Sequence, residues 1–104
     1  MKELTQEEWR EKLEQDDKAV VLDVRTEEEM EEGYLPNAKL IDIYKGQEFV
    51  DEIEKLDKTK NYYIYCRSGQ RSEQACQLMD QMGFPNTYNL LGGIIEWEGE
   101  IVED

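Results

Sequence analysis

The run Asn61-Tyr62-Tyr63-Ile64-Tyr65, followed directly by Cys66-Arg67-Ser68-Gly69-Gln70-Arg71, decides how this chain is read. Aromatic and β-branched side chains in a short block predict a strand. Beyond the loop, Ala75, Leu78, Met79 and Met82 recur at helical intervals, and Gly83 followed by Pro85 ends that helix. A cysteine at the carboxyl end of a strand and just before a helix has backbone N–H groups and the helix dipole aimed at its sulfur, which stabilises a thiolate. Arg67 and Arg71 add positive charge, so the segment suits a nucleophile that handles anionic substrates.

Working outward, Ala19-Val20-Val21-Leu22-Asp23-Val24 is almost entirely apolar, the pattern of a parallel strand covered on both faces, with Asp23 interrupting it near its end. Lys39 to Ile43 and Thr87 to Leu91 read as further strands. Thr5-Gln6-Glu7-Glu8 and Thr26-Glu27-Glu28-Glu29 are capping-box signatures. The first opens a helix through about Gln15 with Trp9 and Leu13 on its buried stripe, and the second a short helix that Gly33 stops before a turn at Pro36 and Asn37. Phe49, Ile53 and Leu56 mark another helix, and Gly92-Gly93 lead into a terminal helix carrying Ile94, Ile95 and Trp97. Alternating strands and helices predict an α/β domain with a mainly parallel sheet flanked by helices on both faces. Ligands of such sheets bind beyond the carboxyl ends of the strands. Cys66, the pair Asp23 and Arg25, and Gly92-Gly93 fall at three such ends and are expected to converge.

A length of 104 residues predicts one domain spanning 1–104. With 26 acidic against 12 basic side chains, the net charge of −14 repels nucleic-acid phosphates and anionic membranes, so neither is an expected partner. The arginines of the Cys66 loop invert that field locally, as a small anion requires. Cys66 and Cys76, with no secretion signal, predict a reducing cytoplasm rather than a disulfide framework. No apolar run is long enough to span a bilayer. The chain contains no histidine, which excludes imidazole triads and leaves backbone dipoles and arginine to activate Cys66. No metal or cofactor is expected.

With these residues placed, the chain resembles the single-domain rhodanese-like sulfurtransferases. The resemblance rests on Leu22-Asp23-Val24-Arg25, Glu29 with Gly33-Tyr34-Leu35-Pro36-Asn37-Ala38, Cys66 to Ser72, and Leu91-Gly92-Gly93-Ile94-Ile95-Glu96-Trp97, in the family's order and spacing. It implies a rhodanese-like fold: a five-stranded parallel sheet with the loop after the central strand wrapping the catalytic cysteine. It also implies the chemistry. Cys66 takes the sulfane sulfur of a donor such as thiosulfate and passes it to cyanide, a thiol or a protein acceptor. The chain departs from the family pattern in lacking a histidine beside Gly33, where Tyr34 stands, and in carrying Met30 at an aromatic position.

By that resemblance Ser68, Gln70 and the other loop amides cradle the persulfide or bound anion, and Gly69 lets the loop turn its N–H groups inward. Arg67 is expected at the pocket mouth, drawing in the sulfonate end of the donor, and Arg71 at the first turn of the helix, holding the loop and adding positive potential. Asp23 either bonds loop groups or Arg71, or is a strand-end turn former. Arg25 and Glu29, four apart, are expected to form an ion pair. Gly92 and Gly93 shape the pocket wall, while Cys76 and Trp97 read as core residues. The tyrosines of the strand ask for no functional role. A cysteine phosphatase is a rival reading, but its loop needs five residues between cysteine and arginine, and here there are four. A persulfide relay, or a regulatory binding module with little turnover, shares the fold and remains an alternative.

Overall fold

The computed structural model describes residues 1–103. Five strands, β1 (Lys2–Leu4), β2 (Ala19–Asp23), β3 (Lys39–Leu40), β4 (Asn61–Tyr65) and β5 (Thr87–Leu90), form one parallel sheet in the order β1-β5-β4-β2-β3. The connections carry helices α1 (Gln6–Glu14), α2 (Glu27–Glu31), α3 (Gln47–Glu54) and α4 (Gln70–Gln81). β4 is central, so the loop leaving it at Cys66 lies in the middle of the carboxyl edge.

Alternation along β4 divides the core. Tyr62 and Ile64 join Leu22, Val24, Phe49, Ile53, Ala75, Met79 and Phe84 on the side of α3 and α4. Tyr63 and Tyr65 face the other way, against Trp9, Val21, Leu35 and Leu90. This period-two split is what a strand covered on both faces requires. Trp9 is fully buried, and its indole N–H donates to the Tyr88 carbonyl at 3.2 Å, which binds α1 to β5. Each large apolar side chain so buried contributes roughly 1.5–3 kcal/mol, and truncating Ile64 to alanine costs about 2–5 kcal/mol.

Both capping boxes form. Thr5 and Glu8 satisfy each other's backbone donors at the start of α1, and Thr26 and Glu29 do so at α2. Asn37 adopts a left-handed φ of 65°, as its turn requires.

Three elements differ from the sequence reading. β1 has no strand signature, because Lys2-Glu3-Leu4 is short and polar; it exists through pairing with Tyr88, Asn89 and Leu90 of β5. The strand expected over Lys39 to Ile43 ends at Leu40, since the Asp42 carboxylate accepts the Tyr44 N–H at 2.8 Å and caps a 3₁₀ turn instead. The expected terminal helix is a single 3₁₀ turn, Ile94–Glu96, after which Trp97 is extended. The N–H groups of Ile94 and Ile95 donate outward, to the carbonyls of Cys66 (3.0 Å) and Arg67 (3.1 Å), tying this segment to the loop.

Candidate active site

The loop between β4 and α4 curls around one sulfur. Sγ of Cys66 accepts the Gly69 N–H at 3.1 Å, the Ser72 N–H at 3.3 Å and sits 3.3 Å from the Ser72 hydroxyl. Gly69 permits the curl, because its φ of 105° belongs to the region that side-chain-bearing residues avoid. The loop is backed by Gly93, whose missing side chain matters: a Cβ there would collide with the Arg67 carbonyl and the Ser68 amide. Two of the three converging segments are thus in direct contact.

Cys66 is only 1% exposed. Burial pushes its thiol pKa up, but the Ser72 hydroxyl and the N–H groups of Ser72, Gly69 and Ser68 favour the anion, and the net direction is down. The first turn of α4 faces the same atom and adds its dipole.

The two loop arginines play different parts. Arg71 forms a bidentate pair with Glu29, at 2.7 and 2.8 Å, and lies over the ring of Tyr44. Those bonds hold the Glu29 carboxyl down at about 2 and push the guanidinium up. Because Glu29 also closes the capping box of α2, Arg71 anchors the loop to that helix. Arg67 is exposed, and among the described residues no ion pair engages it. Arg67 borders an open pocket lined also by Arg25, Glu29, Glu32, Ile94 and Ile95.

Asp23 and Arg25 pair with each other. The Asp23 carboxylate accepts the Arg25 backbone N–H at 3.0 Å, as a strand-end turn former does, and also its side-chain Nε at 2.9 Å and Nη2 at 2.7 Å. It accepts the Tyr65 hydroxyl at 2.7 Å as well, so Tyr65 does have a polar task in this support. Arg25 continues to the Gly33 carbonyl at 2.8 Å. The expected Arg25–Glu29 pair and the Asp23–Arg71 contact are therefore both replaced. Arg25 precedes the N-cap Thr26, so it is not on the helix whose four-residue spacing would bring it to Glu29.

Ser68 is exposed on the loop with its N–H directed at the sulfur, whereas Gln70, also exposed, is the first residue of α4 and is not among the donors to Sγ. Gly92, at φ 81°, completes the turn before Gly93. Cys76 is fully buried in the core, where burial pushes its thiol up to about 12. Two residues of the site receive no role in the sequence reading, Ser72 and Asn89, both fully buried and linked by a short hydrogen bond. The available signal is position: Ser72 continues the apolar stripe of α4 inward, and Asn89 breaks an apolar strand as Asp23 does. Among the described residues no cluster of three or more cysteine, aspartate or glutamate side chains is arranged to hold a metal ion, and no helix is long and apolar enough to cross a membrane.

Comparison with known proteins places this geometry. Residues 5–100 match the family model described as the rhodanese-like domain. The chain is 41% identical over 100 residues to YtwF of Bacillus subtilis, covering 96% of this chain and 93% of that one. It is 34% identical over 95 residues to a protein of Allochromatium vinosum named sulfurtransferase, covering 91% and 86% of the two chains. A tRNA uridine(34) hydroxylase of Chlamydia abortus is 39% identical over 101 residues, which are 92% of this chain but 31% of the hydroxylase. Among solved structures, a rhodanese-like domain protein from Staphylococcus aureus superposes with a TM-score of 0.85 at 33% identity, covering 100% of this chain and 99% of the other. With its parallel sheet, its loop after the central strand and a match over almost its full length, the chain belongs to the rhodanese-like family of sulfurtransferases.

Proposed function

We propose that the protein is a thiosulfate sulfurtransferase working through a persulfide on Cys66. The thiolate attacks the outer sulfur of thiosulfate, a sulfur–sulfur bond forms to Sγ, and the bond to the sulfonate breaks with its electron pair leaving on sulfite. The charge then resides on the outer sulfur of the persulfide. Cyanide or a thiolate attacks that atom, takes the sulfur, and returns Cys66 as its thiolate.

The observation that carries this reading is the set of donors on Sγ from Gly69 and Ser72, with Arg67 exposed on the same loop. The donors favour a sulfur anion, and Arg67 offers the sulfonate a partner in a chain of net charge −14. Both cysteines are free, which supports a reducing compartment, the cytoplasm. The acceptor in this reading is a small thiophile or a cysteine presented by a protein, with no nucleic acid or membrane involved.

Mixing the protein with thiosulfate and cyanide tests the reading. Release of sulfite and thiocyanate, with no hydrolysis of an aryl phosphate, is the expected result. Phosphate release without sulfite would replace the reading with phosphatase chemistry.

A further inference from the structure

Ser72 has one hydroxyl hydrogen and two claimants for it. Its Oγ lies 3.3 Å from Sγ of Cys66 and makes a short hydrogen bond to Oδ1 of Asn89. Ser72 and Asn89 are both fully buried, out of contact with bulk solvent. The amide of Asn89 is locked in orientation. Its Nδ2 donates to the Gly69 carbonyl at 3.1 Å and to the Glu3 carboxylate at 3.1 Å, and reversing it would set Oδ1 against two acceptors. Asn89 is therefore satisfied only while Ser72 donates to it.

We propose that Asn89 is a positioning residue for Cys66, which by competing for the Ser72 proton works against the bare thiolate and favours states in which the inner sulfur is neutral. In the thiol form, S–H donates to Ser72 and Ser72 donates to Asn89, so every group is paired. In the thiolate form, either Ser72 turns its proton to the sulfur and orphans Oδ1, or it keeps Asn89 and presents a lone pair to an anion. Either choice is unfavourable in a buried site. In the persulfide form, which rests on the reading given under Proposed function, the charge moves to the outer sulfur and the hydroxyl returns to Asn89. Loading thus relieves a mismatch that the thiolate creates.

The test is the pH profile of Cys66 alkylation by iodoacetamide in the full chain, in its Asn89→Val and Ser72→Ala variants, and in the double variant. Asn89→Val is expected to alkylate several-fold faster near neutral pH, with its profile moved to lower pH, because the hydroxyl is released to the sulfur. Ser72→Ala, which removes the hydroxyl that Cys66 and Asn89 share, is the background in which the effect of Asn89 is read. In the Ser72→Ala background, Asn89→Val is expected to bring no acceleration. A slower or unchanged rate in Asn89→Val overturns the proposal; a slower rate would mean that Asn89 merely ties down the Gly69 carbonyl. The same acceleration with Ser72 absent overturns it too. Where Asn89→Val does not fold, Asn89→Leu takes its place, alone and in the Ser72→Ala background, with the same expected and contradicting outcomes. Alkylation needs no sulfur donor, so these outcomes stand apart from whether thiosulfate is a substrate.

Discussion

Cys66 and Cys76 are both free, both at most 1% exposed, and both in contact with the hydrophobic cluster under α3 and α4. Their thiols nonetheless move in opposite directions. Burial is the largest influence on each, and it raises each. At Cys66 the Ser72 hydroxyl and the N–H groups of Ser72, Gly69 and Ser68 more than offset it. At Cys76 the Asp80 charge raises the thiol further, and the Thr87 side chain opposes this only in part. The two sulfurs thus differ in the donors that reach them, the Ser72 hydroxyl first and the loop N–H groups after it, and burial alone does not set the direction.

The contrast can be broken most completely by substitution. Cys66→Ser is expected to reduce sulfur transfer to the background rate while Cys76→Ser retains it within about twofold, as measured by thiocyanate formation. Transfer that survives in Cys66→Ser would move the chemistry elsewhere. Alkylation sharpens the same comparison: near neutral pH, iodoacetamide should label Cys66 at least about a hundredfold faster than Cys76, and unfolding the chain should erase the difference. Equal rates in the folded protein would contradict the role given to the loop donors.

Two smaller effects separate the loop arginines. If Arg67, exposed on the loop, draws in the donor as proposed, Arg67→Ala should raise the KM for thiosulfate roughly fivefold to tenfold with little change in kcat. An unchanged KM would return Arg67 to the status of a surface charge. Arg71 acts through Glu29. The Glu29 carboxyl titrates near 2 in the folded chain against its ordinary 4.5, so its contribution is complete above 4.5 and is lost as pH falls toward 2. That contribution is about 1 kcal/mol after solvent screening. Denaturant titrations across this window should show an acid-dependent loss that is smaller in Glu29→Gln than in the parent by about that amount.

Where the physics is local, the sequence is sufficient. The capping boxes at Thr5 and Thr26 announce themselves because their partners are three residues apart. β4 and α4 carry their own periodicities, and the position of the cysteine between them is fixed by both. The features that escape a reading of the residues depend on distant partners. β1 has no pattern of its own and is completed by β5. The Glu29–Arg71 pair joins positions 42 apart, and the Ser72–Asn89 bond positions 17 apart. The four-residue rule misassigns Arg25 because it describes residues inside a helix, and Arg25 stands outside one. The family resemblance supplies the fifth strand that the residues alone do not reveal.

The claim that matters most is that the Cys66 sulfur accepts a second sulfur. Intact-mass measurement after exposure to thiosulfate, with the modified peptide sequenced, tests it directly. A gain of about 32 Da confined to Cys66 and reversed by cyanide is the result expected of the covalent intermediate. An unchanged mass, or a gain carried by Cys76, would contradict it.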